Sequence, residues 1–179
     1  LEGDTLVAGA DILWVNDKKN TAQHYGGRLL FLPDNSLLLA TGDGFDFREQ
    51  AQNGSNELGK VLRILDDGSV PADNPFHTTG SERVWTLGHR NPQGLTLDRS
   101  TGTVYLHEHG PKGGDEVNVL QAASNYGWPA ATHGVDYSGA YVSPFTQLPG
   151  MAPPLHYWVP SIAPSGFAWY GGDKFPAWQ

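Results

Sequence analysis

Apolar positions in this chain come in short runs, cut at regular places by residues that favour turns. Gly27-Arg28-Leu29-Leu30-Phe31-Leu32 runs into Pro33-Asp34-Asn35 and resumes as Ser36-Leu37-Leu38-Leu39-Ala40-Thr41-Gly42-Asp43. The same layout returns in Gly94-Leu95-Thr96-Leu97-Asp98, a turn over residues 99–102, and Thr103-Val104-Tyr105-Leu106-His107-Glu108-His109-Gly110. Gly166-Phe167-Ala168-Trp169-Tyr170, followed by Gly171-Gly172-Asp173, reads as the opening of a third copy. The copies recur roughly every seventy residues, each predicting strand, tight turn, strand and a polar loop. Further strands are expected over residues 60–65, 83–87 and 116–120, and over residues 11–16 as an outer strand. Helical periodicity is nearly absent; only residues 53–60 have room for a turn or two. Short strands in recurring units predict an all-β chain built as a β-propeller, against a β-sandwich or a meander with coincidental spacing. A closed propeller needs about four to eight blades, so this chain, with about three, makes an incomplete one. Residues 1–179 are therefore expected to be one partial propeller domain, either a fragment of a longer chain or a piece that self-associates through its open edges.

Composition sharpens this picture. Gly 23 and Pro 13 make about a fifth of the 179 residues, which suits many turns and few helices. A formal net charge of -8 argues against a nucleic-acid or anionic-membrane surface, although a small basic pocket can sit inside an acidic protein. The absence of cysteine excludes disulfides, zinc–thiolate sites and thiol catalysis. No signal peptide and no membrane span are expected from the pattern.

Candidate chemistry lies in the loops. Gln23-His24-Tyr25-Gly26-Gly27-Arg28 places a histidine, able to act as a general base, before paired glycines that let the backbone turn sharply. Gly88-His89-Arg90-Asn91-Pro92-Gln93-Gly94 offers the planar guanidinium fork of Arg90 beside Asn91, with an inter-blade ion pair as the plainer reading. Glu108-His109-Gly110-Pro111-Lys112-Gly113-Gly114-Asp115-Glu116-Val117-Asn118 combines carbonyls and carboxylates, the hard oxygen ligands that calcium prefers, without EF-hand spacing. Asn125-Tyr126-Gly127-Trp128-Pro129 could add carbonyl ligands to that site. The Pro- and aromatic-rich stretch over residues 153–166 reads as a structural connection.

In order and spacing these segments, with Leu58-Gly59-Lys60-Val61-Leu62-Arg63 and Asp73-Asn74-Pro75-Phe76 between them, resemble the glucose/sorbosone dehydrogenase family. These are the soluble aldose sugar dehydrogenases that depend on pyrroloquinoline quinone (PQQ). The runs G-H-R-N-P-Q-G-L and E-H-G-P-K-G-G-D-E-V-N carry the resemblance most specifically. It implies a six-bladed propeller with PQQ and calcium over its central channel, and oxidation of an aldose at C1 to the lactone. His24 then looks like the base that takes the C1 hydroxyl proton while hydride passes to the quinone C5. Arg90 and Asn91 look like cofactor contacts. The carbonyls of Gly110 and Pro111 look like ligands of the PQQ-bound calcium. Glu116 and the Tyr126 carbonyl look like ligands of a second, structural calcium, with Asp115 a weaker candidate.

Glucose-specific members carry Asp before the catalytic histidine. Gln23 stands there in this chain, which suits a broader aldose range. Gln50 and Gln52 lie in a loop that could face the sugar. The resemblance also implies export to the periplasm or exterior and an electron acceptor of unspecified identity. The isolated chain is expected to be inactive, because a flat cofactor needs contacts around the whole channel. The competing readings are a non-catalytic propeller fragment and a calcium-dependent sugar-lactone hydrolase, the latter needing carboxylates converging on the axis.

Overall fold

The computed structural model describes Thr5, residues 9–15 and residues 17–178. Among these residues eight strands form two four-stranded antiparallel sheets, each in sequential order. The first contains β1 (Gly26–Phe31), β2 (Leu37–Thr41), β3 (Lys60–Ile64) and β4 (Val84–Leu87). The second contains β5 (Pro92–Asp98), β6 (Thr103–Glu108), β7 (Asp115–Leu120) and β8 (His156–Trp158). Such meanders, packed face to face with their first strands side by side, are two blades of a propeller.

Turn chemistry sets the registers. In the β1–β2 hairpin Phe31 pairs with Leu37, and Asn35 takes the left-handed conformation (φ 65). Asp34 Oδ1 accepts from the backbone N–H and the hydroxyl of Ser36, at 3.0 and 2.7 Å. The same Asp-x-Ser clasp recurs at Asp67 with Ser69, Asp98 with Ser100 and Asp136 with Ser138. A side chain that mimics a backbone turn in this way fixes the loop ends before any long-range contact forms.

The core sits between the blades. Leu38, Ala40 and Val61 of the first sheet meet Leu95, Leu97, Val104, Leu106 and Leu120 of the second, with Tyr126 closing the cluster. Each of these strands sends alternate side chains into the interface, as the pleat requires.

Three expectations change. Residues 11–15 form no strand, and Asn16 lies outside the described residues; the segment instead crosses the first sheet, where Arg83 Nη1 donates to the Trp14 carbonyl at 3.2 Å. The expected third copy at 166–170 also forms no strand. It has no ladder partner among the described residues and packs by side chains, with Trp169 stacked on Tyr105 (5.2 Å) and its backbone N–H on Thr96 Oγ1 (2.8 Å). The stretch read as a structural connection supplies β8, whose Tyr157 pairs with Glu116.

Candidate active site

The segment entering β1 and the loops that follow β2, β4 and β6 meet at one end of the two blades. His24 stands just before β1 in the left-handed region (φ 53), followed by Gly26 and Gly27, also at positive φ. Gly42 permits this path, because a Cβ there would overlap the His24 carbonyl. His24 Nδ1 lies 2.7 Å from Oδ1 of Asp43, which is fully buried. An ionised carboxylate only accepts, so Nδ1 carries the proton and Nε2 keeps its lone pair. Asp43 Oδ1 also accepts from the Phe45 N–H (2.8 Å), Oδ2 accepts from Trp128 Nε1 (2.7 Å), and the Asp43 N–H donates to the Arg90 carbonyl (2.8 Å).

Arg90 is also buried. Its Nη1 donates to the carbonyls of Gly110 (2.6 Å) and His109 (3.1 Å), and its guanidinium carbon lies 5.2 Å from the Trp128 ring centroid. The turn is held from below by Glu108, which accepts from the Arg90 N–H and from His89 Nδ1, while His89 Nε2 accepts from Thr86 Oγ1. Arg90 Nε is buried without a hydrogen-bond partner. A guanidinium one bond short of satisfaction, in a low-dielectric site, is ready to bind an anionic or carbonyl oxygen.

His24, Phe45, Arg48, Arg90, Pro111 and Trp128 line a cleft of about 190 Å³, with Asp136 and Tyr137 on its far wall. The structure thus brings His24, Arg90 and Pro111 together. Asn91 is buried beside them but is not a lining residue, and its Oδ1 accepts from Gln93 Nε2 at 3.1 Å. Gln50 and Gln52 do not line the cleft either: Gln52 bonds Asn125 and the Trp128 carbonyl, and Gln50 bonds Asn56. Arg48 occupies the wall instead, 3.4 Å from Asp136 across the mouth.

Next to the cleft a cavity of about 10 Å³ is bounded by Glu108, Gly110, Glu116 and Tyr126. That is about the room for one water molecule or one ion. Burial, then the charge of Glu108, push the Glu116 carboxyl up to about 8. Asp115 is spent elsewhere. Its carboxylate accepts from the Gly110 N–H (2.9 Å), the Ser161 hydroxyl (2.6 Å) and the N–H groups of Ile162 (2.8 Å) and Ala163 (2.7 Å). It therefore fastens the Gly110–Pro111 turn to the following loop and has little lone-pair capacity left for a metal. Among the described residues no three His, Asp or Glu side chains converge in metal-binding geometry.

A histidine held by a buried carboxylate, the Arg90 guanidinium and aromatic side chains thus meet on the loops of an all-β propeller. The chain matches the family model for Glucose / Sorbosone dehydrogenase over residues 1–179, and it belongs to that family. It is 42% identical over 166 residues to the aldose sugar dehydrogenase YliI of Escherichia coli, covering 90% of this chain and 44% of that protein. It superposes on the apo-form crystal structure of the soluble aldose sugar dehydrogenase of Escherichia coli with a TM-score of 0.89 and 40% identity, covering 94% of this chain and 49% of the other. The PQQ-bound aldose sugar dehydrogenase of Streptomyces coelicolor is 33% identical, with a TM-score of 0.68 over 83% of this chain and 40% of that one. The chain spans about half the length of the curated relatives it matches. The all-β propeller fold implied by the resemblance stands, with two four-stranded sheets among the described residues.

Proposed function

We propose that this chain is one half of a PQQ- and calcium-dependent aldose dehydrogenase whose whole domain is a six-bladed propeller exported to the periplasm or exterior. The observation that carries the reading is the convergence of His24, held by Asp43, with Arg90 and the Gly110–Pro111 turn on one cleft. The residues present fit both groups. Arg48 and Arg90 offer planar cationic forks for an anionic quinone, Arg90 Nε awaits a partner, and Phe45, Tyr137 and Trp128 provide flat walls. The Pro111 carbonyl accepts no hydrogen bond from any described residue, so it is open to a hard cation, whereas the Gly110 carbonyl already accepts from Arg90 Nη1. Glu116 and Tyr126 line the small cavity that suits a second calcium.

When bound, PQQ supplies the two-electron oxidant and calcium polarises its reactive carbonyl. The chain does the rest. His24 Nε2 accepts the proton of the sugar C1 hydroxyl, and Asp43 stabilises the imidazolium that results. Arg90 neutralises negative charge that develops in the cleft. Phe45 and Tyr137, stacked at 6.4 Å, add aromatic surface to the cleft.

Titrating PQQ into the full-length protein, with and without calcium, tests this reading. Saturable binding that requires calcium and weakens at least tenfold in Arg90→Ala is expected. Binding indifferent to both calcium and Arg90 would refute it. The 179-residue chain alone is expected to bind weakly and to lack dehydrogenase activity.

A further inference from the structure

Trp128 touches both halves of the proposed machinery. It stands in the loop after β7, in the second blade, and is 7% exposed. Its indole N–H reaches across to the first blade and donates to Asp43 Oδ2 at 2.7 Å, while its ring lies under the Arg90 guanidinium. The residue is itself clamped at both backbone ends. Its N–H donates to the Gly88 carbonyl (3.0 Å), and its carbonyl accepts from Gln52 Nε2 (2.7 Å).

Asp43 needs such a strut. A fully buried carboxylate is costly unless both oxygens are bonded. Oδ1 is served by His24 and Phe45, and Trp128 is the donor to Oδ2 among the described residues. Without the indole N–H, the carboxylate gains by rotating about Cβ–Cγ or by drawing in water. Either change takes Oδ1 out of line with the imidazole. A phenyl ring would fill the same space and keep a face toward Arg90, but it cannot donate.

We propose that Trp128 is a positioning residue whose indole N–H fixes Asp43, so that His24 keeps its proton on Nδ1 and presents a bare Nε2 to the substrate hydroxyl. The role rests on the reading of His24 as the base. The tautomer of His24, however, is a property of the chain alone and can be read without sugar or cofactor.

The test is nitrogen-15 NMR of imidazole and indole nitrogens in the wild type and Trp128→Phe, at a pH where His24 is neutral. The wild type should hold the Nδ1–H tautomer. Trp128→Phe should lower the ratio of Nδ1–H to Nε2–H about tenfold, the equilibrium equivalent of one hydrogen bond to a charged group. An unchanged ratio in a folded variant overturns the proposal. If that variant does not fold, the wild type decides. Its Trp128 indole proton should resonate downfield of those of the exposed Trp14 and Trp178, and an unbonded position overturns the proposal. In the PQQ-loaded full-length protein, Trp128→Phe should lower kcat about tenfold with the sugar KM unchanged. A shifted tautomer without PQQ-dependent turnover in the wild type would sink the dehydrogenase reading and leave the strut standing.

Discussion

Lys60 gives the sharpest stability prediction, because it is a lysine with no exposed surface at the start of β3. Its ammonium donates to the carbonyls of Leu58 (2.5 Å) and Gln50 (2.7 Å), and Asn56 Oδ1 lies 3.4 Å away. It therefore ties down the loop that precedes β3, next to Gly59, where a Cβ would meet the His89 carbonyl. Burial lowers its pKa from 10.5 to about 7, against the attraction of Asp17 and Glu57. The sign follows from linkage. Between those two values the unfolded chain holds a proton that the folded chain has released, so stability rises with pH across the window and is least below pH 7. At 1.36 kcal/mol per unit, the rise between pH 6.5 and 9.5 is about 3 kcal/mol, and the three acceptors make this an upper bound. Lys60→Met keeps the apolar stem and removes the titration. Urea unfolding of both proteins at the two pH values should show the wild type gaining up to about 3 kcal/mol on the variant. Equal gains in the two proteins would mean that burial does not destabilise this ammonium, and the reasoning would fail.

Leu106, with no exposed surface at the centre of the inter-blade cluster, should cost about 2–5 kcal/mol when replaced by Ala, read as a lower urea midpoint at unchanged slope. Asp34 has a pKa lowered from 3.8 to about 2 by its bonds to Ser36 and its pairing with Arg63, so its contribution is present above pH 4 and is lost as pH falls toward 2. Asp34→Ala should flatten that acid limb of the unfolding curve, and an unchanged limb would count against the turn clasp. Calcium should raise the melting temperature of the wild type and release on chelation, and Glu116→Gln should reduce that shift; a shift of equal size in the variant would place the ion elsewhere.

Much of the fold was legible because its signals are local. The β1–β2 and β5–β6 hairpins lie where alternating apolar residues flank Pro33-Asp34-Asn35 and the turn before Thr103, and a turn and a pleat need only neighbouring residues. The Asp-x-Ser clasps were equally local and were present in the sequence as a repeated spacing. Residues 11–15 and 166–170 carried the strand pattern yet form no strand, because a strand exists only with a ladder partner, which pattern does not supply. β8 failed in the opposite sense: three residues among prolines carry almost no periodicity, and Asp115, Glu116 and Val117 recruit them.

The site divides along the same line. His24, Arg90 and the Gly-Pro turn stood out by residue type, and the roles expected of them came from the resemblance to the family. Asp43 and Trp128 were visible only as parts of motifs, because their contact joins positions 85 residues apart on different blades. Asp115, the weaker ligand candidate, stands beside a calcium-type turn with its carboxylate engaged by four backbone and hydroxyl donors, which only the structure shows.

PQQ-dependent dye reduction with an aldose, by the full-length protein in wild-type and His24→Ala forms, bears most directly on the central claim. The account predicts turnover that requires both PQQ and calcium and falls by at least about a hundredfold in His24→Ala while PQQ binding is retained. Turnover that survives the loss of His24, or that proceeds without PQQ, would contradict it.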